Sequence, residues 1–207
     1  MEIKNIIFDL GGVILNIDPQ KSIEAMKKLG FIKFEESYTL AKQNDLFDNL
    51  EKGFITDADF RLKIKENLPK EVSDKQINEA WGMMLLNFPQ ERIELLKKLK
   101  AKYRIFLLSN TNLIHYKIYD KEIYRNYSIH LSDLFEKAYY SHEIGMRKPD
   151  TNFFNHVLSK SKLQAKETLF IDDSLLNIES ANSLGINTIH LDLSKNQNMN
   201  TALRSFI

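Results

Sequence analysis

The chain has 207 residues, 43% of them hydrophobic and 28% charged, enough to bury an ordinary core in one domain or in one domain carrying an insertion. Lys plus Arg number 29 and Asp plus Glu 28, a near-balance that argues against binding nucleic acid through a broad basic face. There is no cysteine, which excludes a disulfide framework, a Cys-ligated zinc and a thiol nucleophile, and no apolar run approaches the roughly 20 residues of a spanning helix. The first residues show no signal-peptide pattern, so the expectation is a soluble, cytoplasmic protein without nucleic-acid or membrane partners.

The first predicted element runs from Ile3 to Phe8. It is short, apolar and β-branched, as a strand buried on both faces of a parallel sheet must be. It ends at Asp9, followed by the turn-forming Leu10-Gly11-Gly12. From about Asn16 to Phe88 no strand pattern occurs. Helix starts are marked there by Thr56-Asp57-Ala58-Asp59 and Ser73-Asp74-Lys75-Gln76, which read as capping boxes, and Gly30 and Gly53 read as helix stops. Pro89 then opens a helix with Ile93, Leu95, Leu96 and Leu99 on its apolar face. A second strand, Arg104 to Leu108, ends at Ser109-Asn110-Thr111-Asn112. Lys137 to Tyr140 is a weaker strand pattern, followed by a glycine-containing loop that brings Arg147 and Lys148 to Pro149 and a helix over 150–160. Thr168 to Ile171 is the third apolar strand, ending at Asp172-Asp173-Ser174. A helix over 174–184 stops at Gly185, a weak strand covers Asn187 to His190, and a polar tail follows Asp192.

Strands alternating with helices of this length predict an α/β fold with a doubly wound parallel sheet. The helical stretch over 16–88 then reads as an inserted subdomain, with 1–15 and 89–207 forming the core. In a parallel sheet the carboxyl ends of the strands share one edge, where ligands bind. Asp9, Ser109 and the Asp172-Asp173 pair are therefore expected to meet there, with Lys148 at the start of the following helix. Each could instead merely cap the helix that follows it, but three such strand ends in one chain favour a common site.

These residues together resemble the haloacid dehalogenase-like hydrolase superfamily. Its four motifs match Phe8-Asp9-Leu10-Gly11-Gly12-Val13, Leu107-Leu108-Ser109-Asn110, Gly145-Met146-Arg147-Lys148-Pro149-Asp150 and Phe170-Ile171-Asp172-Asp173-Ser174, in order along the core. The helical insert resembles the superfamily's helical cap. The wording of the second and third motifs is most similar to a bacterial branch that includes a glucose-1-phosphate phosphatase. The resemblance implies a magnesium-dependent hydrolysis of a small phosphate monoester, such as a sugar phosphate, through an aspartyl phosphate on Asp9. Ser109, nearby backbone N–H groups and Lys148 would offset charge on the transferring phosphoryl group. Gly11, Gly12, Ser109, Asn110 and Lys148 are the implied substrate-binding residues. Mg²⁺, which prefers hard oxygen ligands, would be held by the Asp9 carboxylate, the Gly11 carbonyl and Asp173. Asp172 would act through water or hold Lys148.

One departure matters. The superfamily's phosphatases usually carry a second aspartate two positions after the nucleophile, as acid and base; here that position is Gly11. Three consequences follow as alternatives: a substrate with a good leaving group, a proton donor from elsewhere such as the cap, or lost turnover. The turn Glu51-Lys52-Gly53-Phe54 is a candidate for reaching the site from the cap and reading the substrate. The five histidines, His115, His130, His142, His156 and His190, form no helical metal pair and read as surface or satisfied polar residues. Two other functions fit the same residues: a metal-independent 2-haloacid dehalogenase, which needs no second aspartate, and a non-catalytic interaction protein.

Overall fold

The three apolar runs and the two weaker patterns pair edge to edge in the computed structural model, which describes residues 2–38 and 45–207. β1 (Asn5–Phe8) lies at the centre, parallel to β2 (Arg104–Ser109) on one side and β4 (Thr168–Asp172) on the other. β3 (Lys137–Tyr140) and β5 (Asn187–His190) complete a five-stranded parallel sheet in the order β3-β2-β1-β4-β5. The two weak strand patterns are thus real edge strands. Every residue of β1 is buried, which explains the apolar Ile6-Ile7-Phe8, and the buried Asn5 amide donates to Thr168 Oγ1 at 3.3 Å.

Alternation divides these side chains between two cores. Ile6, Phe8, Ile105 and Leu107 point to one face, under Leu95, Leu96 and Leu99 of the helix Gln90–Lys100. Ile7, Phe106, Leu108 and Phe170 point to the other, under Phe153, Phe154 and Val157 of the helix Thr151–Lys160. Helices on both faces of a parallel sheet make the α/β architecture expected. The tail also closes on the first core, because Met199 and Leu203 are fully buried in it.

The segment between β1 and the helix Gln90–Lys100 has a core of its own. Helices α1 (Pro19–Lys28), α2 (Phe34–Ser37), α3 (Asp45–Glu51), α4 (Asp57–Lys65) and α5 (Asp74–Gly82) surround Trp81, with Phe34, Tyr38, Phe47 and Phe60 packed about its ring. Both capping boxes form: the Thr56 and Ser73 hydroxyls accept from the N–H groups of Asp59 and Gln76, whose side chains accept in return. The chain leaves and re-enters the sheet region through a paired crossing. Asp18 N–H donates to Met84 O at 2.8 Å, and Leu86 N–H to Asn16 O at 2.9 Å. Among the described residues no helix is long and apolar enough to cross a membrane.

Candidate active site

Asp9 follows β1 and keeps its register, its N–H donating to Ile171 O at 2.9 Å. This fixes the carboxylate at the carboxyl edge of the sheet, between the ends of β2 and β4. Lys148 comes from the loop before the helix Thr151–Lys160. That loop is clamped to the end of β2 by Asn110, whose Oδ1 accepts from Lys148 N–H and whose Nδ2 donates to Lys148 O, both at 2.8 Å. The Lys148 stem is buried and its Nζ donates to Asp9 Oδ1 at 2.5 Å and to Asp172 Oδ2 at 2.7 Å.

The two neighbouring acids do different things. Asp172 ends β4 with no exposed surface. Its Oδ1 accepts from Ser174 N–H at 2.8 Å, and Asn177 Nδ2 lies 3.0 Å from each of its oxygens. It is therefore a fixed anchor for Lys148. Asp173 faces the cavity, and His190 Nε2 pairs with its backbone carbonyl at 3.0 Å. Gly12 lies directly behind this carboxylate. Its φ is +75°, and a Cβ there would lie 2.5 Å from Asp173 Oδ2, so only glycine lets the acid occupy that place.

Asp9, Gly11, Asn110, Lys148 and Asp173 line one cavity of about 340 Å³. Ser109 is buried and borders a smaller cavity, which it shares with Gly11 and Asn110. The structure thus brings the four strand-end and loop motifs to one place, with Gly12 and Asp172 supporting rather than lining the main cavity. The electrostatics are those of a site short of positive charge. Burial pushes the Asp9 carboxyl up to about 8, with the Asp172 and Asp173 charges adding to the rise and Lys148 opposing it. Burial and Asp172 likewise push Asp173 up to about 6. Burial pulls the Lys148 ammonium down, but Asp172 and Asp9 outweigh it and its pKa is raised. One oxygen each from Asp9, Asp172 and Asp173 lies within 4.8 Å of the others. Three carboxylates sharing one ammonium in this space suit a hard divalent cation.

Sequence reading missed two features here. Ile17, from the crossing into the helical segment, stands where a side chain at position 11 would go: a Cβ on Gly11 would meet its Cδ1 at 3.1 Å. Arg147, noted only as a loop cation, reaches the helical segment and bonds Glu51 at 2.9 Å and Asp48 at 3.3 Å, and both Glu51 and Arg147 line the main cavity. The turn after α3 had signalled Glu51; nothing local signalled its partner. Of the histidines, His115 is buried, stacked 4.6 Å from the Trp81 ring and paired with Trp81 O at 3.1 Å, and lies outside the main cavity.

Comparison with known proteins agrees with this geometry. A family model described as haloacid dehalogenase-like hydrolase matches residues 6–191. A D-ribitol-5-phosphate phosphatase from Bacteroides thetaiotaomicron is 30% identical over 186 residues, 90% of each chain. A sesquiterpene phosphatase from Aspergillus oryzae is 29% identical, over 91% of this chain and 89% of its own. A HAD family enzyme from Bacteroides thetaiotaomicron, solved in complex with magnesium and inorganic phosphate, superposes with a TM-score of 0.84 at 44% identity, covering 91% of this chain and 93% of that one. By the family match over nearly its whole length and by these relatives, the chain belongs to the haloacid dehalogenase-like hydrolases.

Proposed function

We propose that the protein is a magnesium-dependent phosphatase that hydrolyses small phosphate monoesters through an aspartyl phosphate on Asp9. The convergence of Asp9, Lys148, Asp172 and Asp173 at one cavity carries this reading. The phosphatase relatives, and the neighbour that binds magnesium with phosphate, support it.

In this reading residues 1–15 and 89–207 are the hydrolase core, and 16–88 form the cap. Asp9 attacks phosphorus; its oxygen forms the new P–O bond as the bond to the leaving oxygen breaks, and with Gly11 offering no acid the leaving oxygen takes its proton from solvent water. Lys148 and the Ser109 hydroxyl offset charge on the phosphoryl oxygens, while Gly11, Gly12 and Asn110 shape the loops that enclose them. Asp172 holds the ammonium of Lys148 in place. Water then attacks phosphorus, freeing phosphate and restoring the Asp9 carboxylate. Asp9, the Gly11 carbonyl and Asp173 would hold Mg²⁺. The ion supplies the positive charge that lets an anionic ester approach an anionic nucleophile.

Glu51, Asn110, Arg147 and Asn177 line the cavity and can pair with a hydroxyl-bearing leaving group. A sugar phosphate such as glucose 1-phosphate belongs to this class, and the ribitol phosphate of the bacterial relative widens it to open-chain polyols. A dehalogenase would also use Asp9 as its nucleophile but needs no metal, so the gathering of Asp172 and Asp173 beside Asp9 favours the metal-dependent reaction. The test is phosphate release from a panel of esters with Mg²⁺ and with EDTA, beside Asp9→Asn. Release that requires Mg²⁺ and vanishes in the variant supports the reading; release that survives either treatment refutes it.

A further inference from the structure

The helical segment contributes Ile17 and Glu51 to the lining of the cavity. Glu51, the last residue of α3, is 9% exposed and faces the same space as Asp9, Lys148 and Asp173. It is not held there by the cap alone. Arg147 Nε and Nη2 both lie 2.9 Å from Glu51 Oε2, and Nη1 lies 3.3 Å from Asp48 Oδ1. Asp48 is in turn bonded by Lys52 at 2.7 Å, so the guanidinium is seated in a charge-matched cluster. Arg147 immediately precedes Lys148 on the loop clamped by Asn110. One rigid loop thus fixes both the ammonium beside the nucleophile and the guanidinium that orients Glu51.

We propose that Glu51, oriented by Arg147, is the residue that recognises the leaving group, by accepting a hydrogen bond from a hydroxyl one or more carbons from the phosphorylated oxygen. The proposal rests on the phosphatase reading and names its specificity residue. A carboxylate engaged by a guanidinium offers lone pairs, not a proton, so Glu51 is a hydroxyl acceptor rather than a substitute for the acid missing at position 11. Asn110 and Asn177 add polar groups to the same lining. A polyol or sugar chain satisfies such groups, because each hydroxyl both donates and accepts. An aryl or alkyl chain would displace water from these groups without giving them a hydrogen bond in return, whereas a hydroxyl adds one. Glu51 is then a specificity residue, and Arg147, which acts through it, is a positioning residue.

The test compares kcat/KM for sorbitol 6-phosphate and phenyl phosphate. Wild type should favour the polyol ester. Glu51→Gln should lower the ratio of the two values by roughly 10- to 100-fold. Glu51→Asp, with its charge withdrawn by one methylene, should lower it less. Arg147→Met should lower the ratio mainly through KM, and Arg147→Lys should restore part of it. Titration calorimetry on an Asp9→Asn background should show the same order in affinity for sorbitol 6-phosphate. If Glu51→Gln does not fold, Glu51→Asp and the Arg147 pair carry the comparison. An unchanged ratio, or equal loss on both esters, overturns the proposal and leaves the phosphatase reading standing. A wild type that hydrolyses neither ester, with an Asp9→Asn variant that binds neither, overturns both.

Discussion

Lys148 Nζ lies 2.7 Å from Asp172 Oδ2, and neither side chain has more than 1% of its surface exposed. A charge buried this deeply is tolerable only while its partner is present, since removing one member leaves the other uncompensated. Lys148→Met should therefore cost both stability and turnover. Denaturant unfolding should show a loss of about 3 kcal/mol, the low end for a broken buried pair, because Ser174 N–H and Asn177 still bond Asp172. Turnover should fall by at least roughly tenfold, as expected when a positioned donor to developing charge is lost. Near-normal kinetics would mean that Lys148 does not touch the transferring group.

Asp9 is held in the fold at an electrostatic cost. Its raised folded pKa means that between the ordinary value of 3.8 and about 8 the folded chain binds a proton that the unfolded chain has released. Stability from this group is therefore present at low pH and falls as pH rises through that window. Asp9→Asn should be inactive yet melt, in EDTA at neutral pH, no lower than wild type. A clearly lower Tm would show that the Asp9–Lys148 pair outweighs the burial of the carboxylate.

The adjacent glycines should respond differently to the same substitution. A methyl group on Gly11 meets only the flexible end of Ile17, whereas on Gly12 it would demand a left-handed alanine and collide with the Asp173 carboxylate. Gly12→Ala should weaken Mg²⁺ binding by about 10- to 100-fold, as when the support of a metal ligand is lost. The readout is Tm against Mg²⁺ concentration, since an ion binding only the folded state adds about 2.7 kcal/mol at 100 times its Kd. Gly11→Ala should keep nearly the wild-type Tm in EDTA. Equal effects at both positions would contradict the placement of Asp173.

His115, from the helix that follows β2, pairs with Trp81 O in the helical segment and should oppose part of the Asp9 effect in acid. Burial lowers its pKa from 6.5 to about 4, with the bond to Trp81 O opposing the fall. The folded protein then keeps the ring neutral where the unfolded chain binds a proton, so stability rises with pH across this window. Acidification from 6.5 toward 4 should remove up to about 3 kcal/mol through this group. Asp9 and Asp173 act in the opposite sense over the same window, so urea unfolding of wild type and His115→Gln at a series of pH values isolates this group as the difference between their slopes. A slope the same in both proteins would assign the acid sensitivity to other groups.

Much of this was written locally in the chain. A largely apolar run ending in Asp9, and others ending near Ser109 and Asp172, determine buried parallel strands whose polar ends must share an edge, because backbone pairing in register leaves them nowhere else to go. Thr56, Ser73, Gly30 and Gly53 punctuate the helices through their own backbone chemistry. The tertiary structure alone decided the rest. Asp172 and Asp173 are neighbours of the same type, and only the surroundings make one the anchor of Lys148 and turn the other to the cavity. Ile17 fills the place beside Gly11 because the crossing chain happens to return there. Arg147 meets Glu51 across 96 residues of chain, a pairing that leaves no periodicity or spacing to read. Local pattern fixes which groups reach the edge of the sheet; long-range packing fixes which of them face one another.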